Sequence, residues 1–140
     1  INVFNRMDSF WNLAQEKIRE LQEAFPTQKI TLCNLDDEDL LGEKVLESDV
    51  LTNATKAGMA PLEEISLIQD MSLFGEKLLV TDCVYNPRKT KLLTDAEKNG
   101  SRIADGLGML IYQGAAAAKL YTGLDMPVDE IKEHFFKSEI

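Results

Sequence analysis

Lys77-Leu78-Leu79-Val80-Thr81-Asp82-Cys83-Val84-Tyr85-Asn86-Pro87 is the stretch on which the fold turns. Residues 77–85 hold an apolar, β-branched run that reads as the clearest strand of the chain. Asn86-Pro87 breaks it, because proline restricts the residue before it and cannot donate to a ladder. Residues 89–99 then fit a helix closed by Gly100, residues 102–105 a short strand, and residues 107–121 a long small-residue helix closed by Gly123. Strand, helix, strand and helix in succession are the pattern of parallel strands joined by crossovers.

The same alternation extends toward the start of the chain. Residues 1–4 form an apolar run ended by Asn5-Arg6, a buried strand by pattern. Asp8 or Ser9 is placed to cap a helix whose apolar positions Phe10, Ala14, Ile18, Leu21 and Phe25 recur at three- and four-residue steps, so one face is expected to be buried. Pro26 stops it. Residues 28–35 read as a second strand, and the acidic turn Asp36-Asp37-Glu38-Asp39 leads a short helix through Val45. Residues 49–55 make a third strand that leaves into a loop carrying Gly58 and Pro61, followed by a partly helical stretch. A last amphipathic helix follows Pro127, with Ile131, Phe135 and Phe136 on its apolar side. Without internal repeats or linkers, the whole reads as one α/β domain with a parallel sheet covered on both faces.

Composition narrows the function. The 140 residues contain 44% hydrophobic and 28% charged side chains, which is globular. Twenty-four acidic against fifteen basic residues give a formal charge of −9 and a pI near 4.6, which repels phosphate backbones and anionic lipid; neither nucleic acid nor a membrane is an expected partner. The longest uncharged stretch, residues 106–118, falls well short of the ~20 residues of a membrane helix. Cys33 and Cys83 form no spaced framework, so a reducing, cytoplasmic setting is expected. With His134 the sole histidine, no metal site and no histidine-based nucleophile triad is expected. The chain opens on Ile1, inside a strand and without an initiator Met, as a piece of a longer protein would.

Three constellations sit just after predicted strands, where open α/β sheets bind ligands. In the first, Asn5-Arg6-Met7-Asp8-Ser9-Phe10, Asp8 is suited to accept hydrogen bonds from two ribose hydroxyls and Phe10 offers a flat face to adenine. Chemistry alone favours the plainer reading, in which Asp8 only caps the helix and Phe10 only packs, since capping aspartates are common. The second, Asn53-Ala54-Thr55-Lys56-Ala57-Gly58-Met59, has small residues and a glycine that let backbone approach a ligand, or is simply a polar turn. The third joins Cys83-Val84-Tyr85-Asn86-Pro87 to Asp105-Gly106-Leu107-Gly108-Met109-Leu110, where two glycines could bring bare backbone against a planar ring. Cys83 reads as a small hydrophobe rather than a nucleophile, since no histidine pairs with it. Gln113, in the following helix, either points an amide at the same space or is solvated.

Taken together, NATKAGM, CVYNPRKTKLL, DGLGML and QGA, in this order and spacing, resemble the cofactor-binding half of the shikimate/quinate dehydrogenase family over nearly the whole chain. The NRMDSF stretch is most similar to the dual-specificity quinate/shikimate branch. The narrower NADP-dependent branch has a threonine after Asn-Arg and a basic residue soon after it; here Met7 and Asp8 stand there. The resemblance implies a Rossmann-like, doubly wound parallel sheet. It implies adenosine-ribose contacts from Asn5, Arg6, Met7 and Asp8, a second cofactor loop at Lys56, a turn beside the nicotinamide at Cys83, Val84, Tyr85 and Asn86, and a backbone contact to the nicotinamide amide at Gly106. Gln113 matches a glutamine that bonds a substrate hydroxyl. NAD, NADP or both are the implied cofactors, with NAD favoured or equally accepted because Asp8 would face a 2′-phosphate as a like charge.

Measured against that family, the expected fold is incomplete. The Gly-rich phosphate turn with its first strand is missing, and so is the N-terminal substrate domain that supplies the catalytic lysine and aspartate. Residues 1–140 would be the C-terminal part of a dinucleotide-binding domain, including final helices that return to the substrate domain. No catalytic residue is expected in the chain, and Lys56 belongs to the cofactor side. The expected reaction of the parent is hydride transfer between a nicotinamide and shikimate or quinate, in aromatic amino-acid biosynthesis; a homodimer is compatible with it. The alternative is a non-catalytic dinucleotide-fold module for sensing or assembly. In the doubly wound order the missing first strand is central. Its loss should split the sheet into a pair (strands 28–35 and 1–4) and a triplet (strands 49–55, 77–85 and 102–105).

Overall fold

The computed structural model describes residues 1–136, which divide into two compact units, 1–48 and 49 onward. In the first, β1 (Asn2–Asn5) and β2 (Thr31–Asn34) pair in parallel, Asn2 opposite Thr31 and Asn5 opposite Asn34. Helix α1 (Trp11–Ala24) is the crossover between them, and α2 (Glu38–Leu46) follows β2. Asp37 starts α2 by accepting the Leu40 amide at 3.1 Å, satisfying a donor that the helix cannot. The small core holds Ile18, Ile30, Cys33, Leu41 and Val45.

The expected buried face of α1 is only partly so. Ile18 is buried, whereas Phe10, Leu21 and Phe25 are exposed. Two four-residue strands span roughly 13 Å and the fourteen-residue helix roughly 21 Å, so a two-stranded platform cannot cover the whole stripe. Nor does Asp8 or Ser9 occupy the cap position. Phe10 does, with no side-chain cap bond.

The second unit holds β3 (Val50–Asn53), β4 (Leu79–Asp82) and β5 (Arg102–Ala104) in a parallel sheet of that order. A 3-10 turn (Met71–Leu73) lies between β3 and β4. Helix α3 (Lys91–Lys98) packs on β4 and β5; its Leu92, Leu93 and Ala96 are buried, and Val80 of β4 is wholly inaccessible. Thr90 caps α3 through the Leu93 amide, and Gly100, at φ +89°, lets the chain turn back into β5. Helices α4 (Leu107–Thr122) and α5 (Val128–Phe135) follow. Lys132 of α5 lies over the Tyr112 ring of α4, 4.6 Å from its centroid. On the expected apolar side of α5, Phe135 is 68% exposed, while Ile131 and Phe136 are half-buried.

The strands thus fall into the expected pair and triplet, each wholly parallel; β1 is as long as the run that announces it, shifted by one residue, and the other four are shorter than theirs. Ladder pairing ends where the neighbouring strand ends, while an apolar run continues into buried turn residues such as Val84. No helix among the described residues is long and apolar enough to cross a membrane.

Candidate functional site

In each unit the candidate residues lie at the carboxyl ends of the strands. In the first unit Asn5 closes the β1 ladder, its carbonyl accepting the Leu35 amide at 2.9 Å. The chain then turns into solvent, exposing Arg6, Met7, Asp8 and Phe10. Asp8 Oδ1 accepts the Phe10 amide at 2.8 Å and its carbonyl accepts the Trp11 amide at 3.1 Å, so Asp8 shapes the turn ahead of α1. Its Oδ2 has no partner among the described residues. Phe10 is 65% exposed. Arg6 Nε lies 3.8 Å from Asp36 Oδ1, both side chains about two-thirds exposed, a long pair that water screens.

The second unit brings three segments together around a buried polar cluster. Asn53 and Asp82 are register partners at the ends of β3 and β4. Asn53 Nδ2 donates to Asp82 Oδ1 at 3.0 Å and to the Ala57 carbonyl at 3.0 Å. Asn53 Oδ1 accepts the Thr55 amide and hydroxyl at 3.0 and 2.8 Å, which winds residues 53–57 into a tight loop. Asp82 Oδ1 also accepts the Val84 amide at 2.8 Å, and Oδ2 accepts the Thr90 hydroxyl at 2.7 Å. Gly58, at φ +93°, packs so closely on Thr90 that a Cβ would lie 2.8 Å from its side chain. Only glycine suits that backbone and that contact.

Gly106 completes the arrangement. A Cβ there would lie 2.6 Å from the Cys83 carbonyl oxygen and 2.7 Å from that of Val84, so this glycine is what allows the β5–α4 turn to touch the β4 turn. Arg88 donates through Nε to Asp105 Oδ2 at 2.9 Å, and Asp105 Oδ1 accepts the Leu107 amide at 3.1 Å, which fixes the start of α4. Cys83 is half-buried and joins the ladder through its amide to the Asn53 carbonyl; Val84 is buried, and Tyr85 and Asn86 are exposed. Lys56 is exposed at the tip of its loop, and Gln113 is exposed on α4, seven residues after Gly106 and so on the same side of the helix. No group of three or more His, Cys, Asp or Glu among the described residues could hold a metal. An open hollow of about 630 Å³ along α5, lined by Pro127, Ile131, His134 and Phe135 among others, contains none of the expected site residues.

The sequence reading did not single out Asp82, Thr90, Arg88 or Asp105 for these roles. Their signal is modest: a polar residue closing an apolar strand run at the same register as Asn53, and a threonine immediately before a helix.

Parallel strands joined by helices, with polar and glycine-rich turns gathered at their carboxyl ends, define the class: a portion of an α/β dinucleotide-binding fold. The family description "shikimate 5'-dehydrogenase C-terminal domain" matches residues 106–134. Two quinate/shikimate dehydrogenases of Escherichia coli strains are 43% identical over 133 residues, covering 95% of this chain and 46% of theirs. The crystal structure of shikimate 5-dehydrogenase from Listeria monocytogenes in complex with shikimate and NAD superposes with a TM-score of 0.88 at 38% identity, over 95% of this chain and 46% of that one. Quinate dehydrogenase from Corynebacterium glutamicum in complex with NAD gives 0.80 at 27% identity, over 97% and 45%. The resemblance read from the four motifs is borne out as a likeness: the chain is similar to quinate/shikimate dehydrogenases and spans about half the length of the curated relatives it matches.

Proposed function

We propose that this chain is the C-terminal part of the cofactor-binding domain of an NAD(P)-dependent dehydrogenase that interconverts shikimate and 3-dehydroshikimate, quinate and 3-dehydroquinate, or both, a cytoplasmic step of aromatic amino-acid biosynthesis. What carries the reading is the packing of Gly106 on the Cys83 and Val84 carbonyls, because it assembles two turns that are 22–23 residues apart in sequence into one bare-backbone surface suited to a planar amide-bearing ring.

The residues of each unit, taken by itself, fit one part of a dinucleotide. At the adenosine end, Asp8 keeps Oδ2 for a ribose hydroxyl, Arg6 and Met7 flank it, and the exposed Phe10 ring is free to stack on adenine. At the nicotinamide end, residues 83–86 and Gly106 supply backbone donors and acceptors that orient the ring amide, while Lys56 stands on the neighbouring loop. When bound, the nicotinamide supplies the hydride acceptor. Gln113 holds a ring hydroxyl of the substrate. Neither it nor any other residue assigned here takes the alcohol proton, which calls for a general base. That role belongs to the lysine and aspartate of an N-terminal substrate domain.

Steady-state turnover of the full-length protein tests the proposal. Reduction of NAD or NADP that requires shikimate or quinate supports it; cofactor binding without turnover on either substrate supports the non-catalytic module.

A further inference from the structure

We propose that Asp82 is a positioning residue for the nicotinamide end of the cofactor; the inference rests on the dehydrogenase reading above and deepens it. Asp82 is 4% exposed, and burying a carboxylate is costly unless its oxygens are bonded. Here both are. Oδ1 accepts from the Asn53 amide at 3.0 Å and the Val84 N–H at 2.8 Å, and Oδ2 accepts from the Thr90 hydroxyl at 2.7 Å.

Each of those three partners governs a different piece of the site. Asn53 winds the loop that presents Lys56, through its bonds to Ala57 and Thr55. Val84 lies in the turn expected beside the nicotinamide, and its carbonyl and that of Cys83 abut Gly106. Thr90 caps α3 and is the surface on which Gly58 packs. A single hydrogen-bonding atom could hold the Val84 amide alone. The second oxygen is what joins the loop after β3, the turn after β4 and the start of α3 into one rigid unit. Asp82 faces inward among these groups and acts on the cofactor only through the backbone it holds.

The consequence is a specific kinetic pattern. With Asp82 truncated, the Val84 amide loses its acceptor and the Cys83–Val84 carbonyls are free to move against Gly106. Misplacement on the order of 1 Å at a reacting centre costs up to about a hundredfold in rate, whereas the adenosine end, carried by other residues, is untouched.

The test compares Asp82→Ala, Asp82→Asn and Thr90→Val in the full-length protein, measuring kcat, the Kd of NAD, and the Kd of ADP-ribose, which lacks the nicotinamide. Asp82→Ala is expected to lower kcat by about tenfold or more and to weaken NAD, with ADP-ribose affinity within about twofold of the unaltered protein. Asp82→Asn keeps an acceptor for Val84 and should restore kcat to within about threefold. If Asp82→Ala does not fold, Thr90→Val, which removes the hydroxyl that donates to Oδ2 and with it the α3 cap, carries the test and should lower kcat about threefold with ADP-ribose affinity unchanged. Folded Asp82→Ala or Thr90→Val protein with a lower melting temperature but unchanged kcat and NAD affinity would overturn the proposal, leaving Asp82 a purely structural residue. Equal loss of NAD and ADP-ribose affinity would overturn it too. Absence of turnover in the unaltered protein would instead overturn the dehydrogenase reading, a result distinct from either.

Discussion

Replacing Gly106 by alanine adds one carbon at the tightest point of the candidate site. The backbone itself does not resist, since Gly106 sits at φ −77° and ψ −4°, a conformation any residue adopts. The obstacle is steric: the new Cβ would lie 2.6 Å from the Cys83 oxygen, 2.7 Å from the Val84 oxygen and 2.8 Å from the Val84 carbonyl carbon. All three are backbone atoms, held by the Asp82 bond to the Val84 amide and by the Cys83 amide in the ladder. Reaching an ordinary contact of 3.4 Å requires a shift of about 0.8 Å in one turn or the other. Overpacking of this kind costs about 1–3 kcal/mol, and the same displacement at the reacting end should lower kcat about tenfold or more. Gly108, two residues on and inside α4, is the internal control, because a Cβ there meets nothing within 4 Å. Gly108→Ala should therefore stabilise, by up to about 1 kcal/mol, through helix propensity. Thermal or denaturant melts of both variants, with turnover for Gly106→Ala, read the contrast. Gly106→Ala protein as stable and as active as the unaltered protein would refute the claim that this contact builds the site.

Three further outcomes are expected. Asp8→Ala should weaken NAD by about 5- to 30-fold by calorimetric titration and narrow any preference for NAD over NADP; a large NADP preference in the unaltered protein would contradict the role given to Asp8. The isolated 140 residues should show no turnover above background with shikimate or quinate and either cofactor. The Ser72 hydroxyl, and secondarily its amide, hold the Asp70 carboxyl below its ordinary value of 3.8. The stabilisation of that 3-10 turn is therefore full above the ordinary value and is lost as pH falls through the depressed one; a carboxyl NMR titration of Ser72→Ala should move back toward 3.8.

The strand order was legible because each strand is announced by an apolar run and closed by a strong breaker, as Asn86-Pro87 closes β4 and Gly100 separates α3 from β5. The division into pair and triplet followed from counting strands against the doubly wound order. Burial was less legible. The periodicity of α1 shows which face is apolar, and says nothing of whether a surface large enough to cover it is present. The residues proposed for the adenosine end could be named from one contiguous stretch, 5–10, because turn and helix start are local. The Asn53–Asp82–Thr90 cluster could not, since its partners are 29 and 8 residues apart and meet only through strand register. Gly106 was flagged as a close-approach glycine, but the atoms it approaches, the Cys83 and Val84 carbonyls, are visible only in three dimensions.

The central claim is that the bare backbone where Gly106 meets the Cys83–Val84 turn holds the nicotinamide end of a dinucleotide, and a crystal structure of the full-length protein with NAD tests it most directly. The account predicts the nicotinamide amide against the backbone of Gly106 and the Cys83–Val84 turn. Nicotinamide density anywhere else, with the Gly106 and Cys83–Val84 surface bare, would contradict it.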